Sequence, residues 1–452
     1  MVQGTSAATT ALDTATRAAT RVRLLFSLTG RIDPGHGVGR LVDRFGFGRF
    51  GSHLHSGEAL LPVPVLAERV APDELVLPGG DHGLRLAGAG LLVVTTPRGD
   101  ATLVMDCDFA GETPSAALAS WLAATCFERE AFTLRGRPLP DVVRERLSLP
   151  GPLAYGQNVH QLVFPGGRLL AGLLAAASSD EPALAAPLNE MIYRGRLSGA
   201  GGPPNLRNQG VTVAAHGRGV SVQAGWAPHA ENVLTLVVMG LLSALAVLQR
   251  TRVKSFGMMQ SNQRAAPSPR EARELISELS AGVNELQLDL AFGVEAYVDS
   301  LLVPEMLTES FQTSLGEEWG IHESLENSAR MIERLTSVIG ARSAAHDAAV
   351  AEGKEHRDRV VSVLVAVATL IALPPTLLLA FFGVNGTDVH QDHSILDLGT
   401  YRWAYLLAWT PFVLLVGVGL LLLRRPGRAP HLLAPPGPAP APVPGPRHPG
   451  VP

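Results

Sequence analysis

The tripeptide Gly383-Val384-Asn385 closes a long apolar stretch, and the groups behind it are neutral oxygen carriers rather than ionisable ones. Stepping back along a helix from Asn385 brings Thr376, Leu373, Thr369, Val365 or Ala366, and Ser362 near one face. Asn385 offers a side-chain carbonyl, Thr376 a hydroxyl, and Leu373 an apolar constriction between them and the deeper hydroxyls. Such oxygens suit Mg²⁺, a small cation that gives up its water reluctantly and is best held through its hydration shell. Gly383 lets the chain turn just after the helix and expose carbonyls. Thr369 and Ser362 have a competing use, because hydroxyls in helices also bond their own helix carbonyls. Asp388, Asp392 and Asp397 follow, and three carboxylates there raise the local cation concentration. The same aspartates serve ordinary solubility equally well.

Other chemistry is poorly supported. Gly46-Phe-Gly48-Arg-Phe-Gly51 matches a dinucleotide pattern in form, but no strand precedes it and no helix follows, so it reads as a loop. His53 and His55 lack a third metal ligand. Asp106-Cys107-Asp108 ends a strand and is an unassigned cation candidate. No Walker sequence, Gly-x-Ser-x-Gly or His-Glu-x-x-His is present, which argues against an enzyme and leaves no cofactor to expect. Two cysteines cannot build a disulfide framework or a four-cysteine zinc site. A net charge of -4 argues against nucleic acid as a partner.

The elements that must position these residues are apolar spans. A mean hydropathy of +0.19 is high for a soluble chain of 452 residues. Val360–Phe382 carries 23 uncharged residues and Trp403–Leu423 another 21. Each reaches roughly 30–35 Å as a helix, enough to cross a bilayer core. They define transmembrane segments at 360–382 and 403–423 joined by an outer loop at 383–402. Lys354, Arg357 and Arg359 precede the first span and Arg424, Arg425 and Arg428 follow the second, so both termini are expected in the cytoplasm of a multi-pass cell-membrane protein. Asn232–Gln249 is also uncharged, but at 18 residues it reads as a buried helix of the N-terminal domain rather than a third span.

Upstream, residues 1–30 read as disordered and 31–265 as a cytoplasmic α/β domain. Within that domain Leu91–Thr96 with Thr102–Cys107, and Val211–Ala215 with Val220–Ala224, read as hairpins. Ser115–Phe127 and Pro187–Tyr193 read as helices, and Gly199–Pro204 and Ala265–Pro269 as loops. From 268 to 359 long helices are expected, opening at Ser268-Pro269 and broken near Pro304 or Gly316–Gly320, the last running into the first span. Glu271–Glu333 holds fourteen acidic residues against Arg273 and Arg330. That run is either a solvated face or a cation-sensing surface. The tail at 424–452 is proline-rich and expected to be disordered.

Pro374, Thr376, Phe382, Gly383 and Asn385, with Tyr401-Arg-Trp403-Ala-Tyr405 at the second span, resemble the CorA-like two-span magnesium and divalent metal cation transporters, whose signature is Gly-x-Asn. The match covers roughly residues 320–425; upstream only the plan is shared. It implies a funnel-shaped homopentamer with the first span lining the pore, Pro374 shaping that helix, and Gly383, Val384 and Asn385 at the selective mouth. Mg²⁺ or another divalent cation, zinc or cobalt included, would be substrate and possible regulator, with the bilayer and further copies of the chain as partners. The family methionine is Val384 here, so a zinc transporter is the alternative within the family. A non-transporting membrane-anchored sensor or scaffold is the alternative outside it.

Overall fold

Thr20–Arg31 alternates Val22, Leu24, Phe26 and Leu28 with Arg21, Arg23, Leu25 and Ser27, the period of a strand covered on both faces. In a computed structural model of the chain this segment is β1. The structure describes residues 19–54, 60–80, 82–178, 206–208, 212–264, 266, 268–298, 303 and 306–384, with 402–403, 406, 410, 413–414 and 417–418. The remaining strands are β2 (Val63–Val70), β3 (Leu75–Val76), β4 (Arg85–Thr95), β5 (Asp100–Ala110), β6 (Thr133–Leu134), β7 (Arg137–Pro138), β8 (Ala154–Phe164), β9 (Leu206–Asn208), β10 (Thr212–His216) and β11 (Val220–Ala224). Eight of them form one sheet in the order β2-β4-β5-β1-β8-β11-β10-β9, while β3, β6 and β7 form a small second sheet. Among the described pairings only β8 with β11 is parallel.

Disorder expected through residue 30 is therefore corrected from Thr20 onward. The run at Leu24–Leu28 is far too short to span a membrane, but it is long enough to be a central strand, and burial on both faces explains the apolar Leu25 that interrupts the alternation. Residues 1–18 lie outside the described residues. The two expected hairpins are β4–β5 and β10–β11. In the first, Gly99 closes the turn at φ +86°, where a side chain would be strained.

Helices cover both faces of the large sheet. On one lie α1 (Ser115–Phe127), α2 (Leu139–Arg146) and α3 (Gly167–Ser178). Trp121 stacks edge-on against Phe109 at 5.0 Å, and Leu118, Leu122, Leu139, Val143 and Leu173 fill the core with Leu24, Phe26, Leu103 and Met105. The opposite face meets α4 (Pro228–Asn262). Its most apolar 18-residue window is 83% buried, as the sequence reading of Asn232–Gln249 expects. Arg23 donates to Thr235 at 2.7 Å, and Arg250 reaches Asp100.

Beyond α4 lie α5 (Pro269–Leu290), α6 (Met306–Trp319) and α7 (Ile321–Val384). Ser268 caps α5 by accepting from the Glu271 amide at 3.2 Å. Gly320, at φ +64°, separates α6 from α7, so one of the two expected breaks is real; Pro304 lies outside the described residues. Helix α7 is unbroken through Pro374 and Pro375 and ends two residues beyond the expected span. The chain divides into two compact units. One holds residues 1–258 and 281–335; the other holds 259–280 and 336–452. Within the second, Arg342 donates to the Asn262 side-chain oxygen at 3.1 Å and to the Arg264 carbonyl at 3.0 Å.

Candidate functional site

The seven-residue spacing of Ser362, Thr369 and Thr376 spans two turns of α7, so each hydroxyl sits about 20° from the last. All three are exposed in the isolated chain. Val360, Leu364 and Ile371, roughly opposite on the helix, are partly covered. The hydroxyl line is therefore the open side of this helix. Thr369 donates to the Val365 carbonyl at 2.8 Å and Thr376 to the Ala372 carbonyl at 2.6 Å. Both hydroxyls thus spend their proton on the helix and keep lone pairs outward, able to accept but not to donate. The competing use foreseen for Thr369 is observed, and it extends to Thr376.

Around this line α7 is apolar and bare. Val361, Val363, Val365, Val367 and Leu370 are each exposed, Leu370 by 74%. Leaving such side chains in water forgoes roughly 1.5–3 kcal/mol apiece. Trp403, Leu406, Val413, Leu414 and Val418, helical where described, are exposed as well. Leu373 and Pro374 lie within α7, and Gly383 and Val384 are its last residues. Asn385, Asp388, Asp392 and Asp397 lie outside the described residues, as do Pro187–Tyr193, Gly199–Pro204 and the tail at 424–452. At the charged end of this stretch Arg359 bonds Glu355 at 3.0 Å, one turn back on the same helix.

The upstream cation candidates sit across from arginines, although Asp106 Oδ1 and Asp108 Oδ1 are buried without a hydrogen-bond partner among the described residues. Asp106 pairs across the sheet with Arg23 and Asp108 with Arg21, and Arg23 Nε lies 3.2 Å from Asp106. Burial, then Asp106, push the Asp108 carboxyl up, while Arg21 and Arg23 oppose the shift. Within the acidic run, Asp289 is 1% exposed and bonds Arg31 at 3.0 Å and Arg98, with Arg250 at 3.6 Å. Glu285 pairs with Lys254 at 3.2 Å. By contrast Glu295, Glu309, Glu317, Glu323, Glu326 and Glu333 lie on exposed surface or its margin. No group of three acidic, histidine or cysteine ligands gathers among the described residues. Gly48–Phe50 and Gly51–Leu54 are single turns, which agrees with the loop reading of that glycine pattern; His53 sits in the second and His55 lies outside the described residues.

Sequence reasoning missed one buried polar cluster. His160 Nε2 lies 2.8 Å from the Ser221 hydroxyl, His216 pairs with Ser221 across the sheet, and Trp319 and Phe311 of α6 stack edge-on over the two imidazoles. Burial, then His216, lower the His160 pKa to about 3, so the ring is neutral. The parallel pairing of β8 with β11 brings His160 to Ser221, and no local spacing signals it; His216 meets Ser221 through the β10–β11 hairpin. Comparison of the chain with protein-family models, with characterised proteins and with solved structures finds no match in any of the three.

Proposed function

We propose that the chain is a CorA-like channel that moves Mg²⁺ or a related divalent cation across the cell membrane. The observation that carries this reading is the long α7 with bare apolar residues and outward lone pairs at Thr369 and Thr376, in line with the exposed Ser362. An apolar surface of that length suits lipid, and an acceptor-only line suits the water shell of a cation. Several copies around a shared axis would turn the line into rings, with Leu373 as a constriction and Gly383, Val384 and Asn385 at the mouth. The aspartates of the outer loop would concentrate cations there. A divalent ion gains about 4.6 kcal/mol per 100 mV of inside-negative potential, so no nucleotide is needed to drive uptake. Gating would be a population shift set by cytoplasmic cations on the exposed glutamates.

The test is flux into proteoliposomes, comparing Mg²⁺, Zn²⁺, Co²⁺ and Ni²⁺ with and without a pH gradient. Expected is potential-driven uptake that Asn385→Ala reduces at least ten-fold without loss of assembly; absence of flux for all four ions would sink the reading. One observation favours a membrane-anchored sensor instead. Thr369 and Thr376 are satisfied by their own helix and need no water, as in a dry anchor. On that reading Asn385→Ala changes nothing measurable.

A further inference from the structure

Four arginines line one cleft of about 440 Å³ in the N-terminal unit, a size that takes a small ligand. Arg69 comes from β2, Arg135 and Arg137 from the β6–β7 hairpin, and Arg146 from the end of α2. Glu68, Glu74 and Glu145 face them, and Val70, Leu134 and Val142 supply an apolar strip.

The ion pairs do not exhaust these groups. Arg135 holds Glu74 in a fork at 2.8 and 3.0 Å, and Arg137 holds Glu145. Arg146, however, stands 3.7 Å from Glu68, beyond hydrogen-bond length. Arg69 is exposed and makes no ion pair among the described residues. Glu68 Oε1 is buried without a hydrogen-bond partner there. Arg135 also sits in the left-handed region at φ +53°, followed by Gly136 at φ +73°. A two-residue hairpin turn of that kind favours asparagine or glycine. An arginine kept there is strained backbone, a feature that clusters at ligand sites.

We infer that this cleft binds a phosphorylated, hydroxyl-bearing small molecule of ribose-phosphate type, its phosphate on Arg69 and Arg146 and its hydroxyls donating to Glu68. Guanidinium forks match phosphate oxygens, and a phosphomonoester brings close to two negative charges at neutral pH. A bare metal ion is disfavoured by four guanidiniums. A carboxylate such as Glu68 accepts from hydroxyls, which inorganic phosphate cannot provide in the right place. The apolar strip fits the C–H face of a sugar ring. This site is independent of the channel reading, and either can fail alone.

The test is calorimetric titration of the full chain in detergent micelles with ribose 5-phosphate, adenosine 5′-monophosphate, ribose and inorganic phosphate. Ribose 5-phosphate, the nucleotide or both should bind saturably, about ten-fold or more tighter than ribose or phosphate, and the tighter ester identifies the source as free sugar phosphate or nucleotide. Arg69→Gln, which breaks no described ion pair, should weaken binding about ten-fold. Arg146→Gln removes the other phosphate-holding guanidinium and breaks no hydrogen bond of normal length, so it should weaken binding about ten-fold without lowering the melting temperature. No saturation by either ester below about 10 mM would overturn the site. So would unchanged affinity in both variants, or inorganic phosphate binding as tightly as the esters.

Discussion

His160 shows how a single side chain can be decided by its surroundings rather than its type. Histidine ordinarily titrates near 6.5, but burial, then the neighbouring His216, hold this ring neutral down to about 3. The unfolded chain therefore takes up a proton that the folded chain refuses. Stability contributed by the neutral ring is full above pH 6.5 and is lost as pH falls from there toward 3, at up to about 1.4 kcal/mol per unit. Urea unfolding of the N-terminal unit should show the wild-type chain losing about 1.4 kcal/mol more than His160→Gln between pH 7.5 and 5.5. Parallel pH profiles for the two proteins would show that the ring is charged or solvated in the fold. The hydroxyls of α7 teach the opposite lesson. Thr369 and Thr376 lie on an exposed face, yet their donor capacity is spent on the i−4 carbonyls, so what remains to a ligand is acceptor oxygen. Asp106 and Asp108 are similar: as a sequence they are two carboxylates one residue apart, and in the sheet each has an arginine across from it.

At the scale of elements, Gly320 is the joint that lets α6 fold back over His160 while α7 departs, and its φ of +64° is why glycine stands there. Nothing lies within 4 Å of where a Cβ would be, so Gly320→Ala meets only the backbone cost of the left-handed region, about 1 kcal/mol. Urea denaturation should register that loss with little change in slope; no loss would mean that the joint opens in solution. The joint, the α5 cap at Ser268, the two hairpins, α1 and the buried α4 could all be read from the sequence, because each is set by local turn chemistry, capping or apolar length. The apolar register of the helices was equally plain: of Leu275, Leu279, Leu286, Leu290, Leu325, Ile332, Leu335 and Ile339 at helical spacing, all are buried except Leu275 and Leu325, which are half-buried. β1 was not legible. Its alternation is broken at Leu25, as a doubly covered strand permits, and an Ala/Thr-rich lead-in masked what remained. Nor were the arginine cleft or the His160–Ser221 contact, whose members meet only through strand pairing and helix return.

For the whole molecule, the proposed channel reading makes the number of membrane crossings fix which side each domain faces, and α4 decides that number. By composition α4 passes for a span, with a mean hydropathy of 2.0 over its most apolar window. Its side chains are instead committed: Val238, Leu234 and Leu241 are buried, Gly240 lies against the Tyr297 ring, and Gly293 packs on Val247. A lipid-facing helix would leave those side chains bare, as α7 does at Val363, Val365 and Leu370. On the proposed channel reading, removing α4 from the count would leave the two C-terminal stretches, an even number that returns the chain to its starting side. On that reading, the arginines flanking them would put both termini in the cytoplasm and the acidic stretch between them outside. Cysteines substituted at Asp392 and at Glu271, in a background with Cys107 and Cys126 replaced by serine or alanine, test this with an impermeant thiol reagent on intact cells. Asp392→Cys should label at once and Glu271→Cys only after permeabilisation. Labelling of Glu271→Cys in sealed cells would require an odd number of crossings, and the buried surface of α4 would then have to be surrendered to lipid.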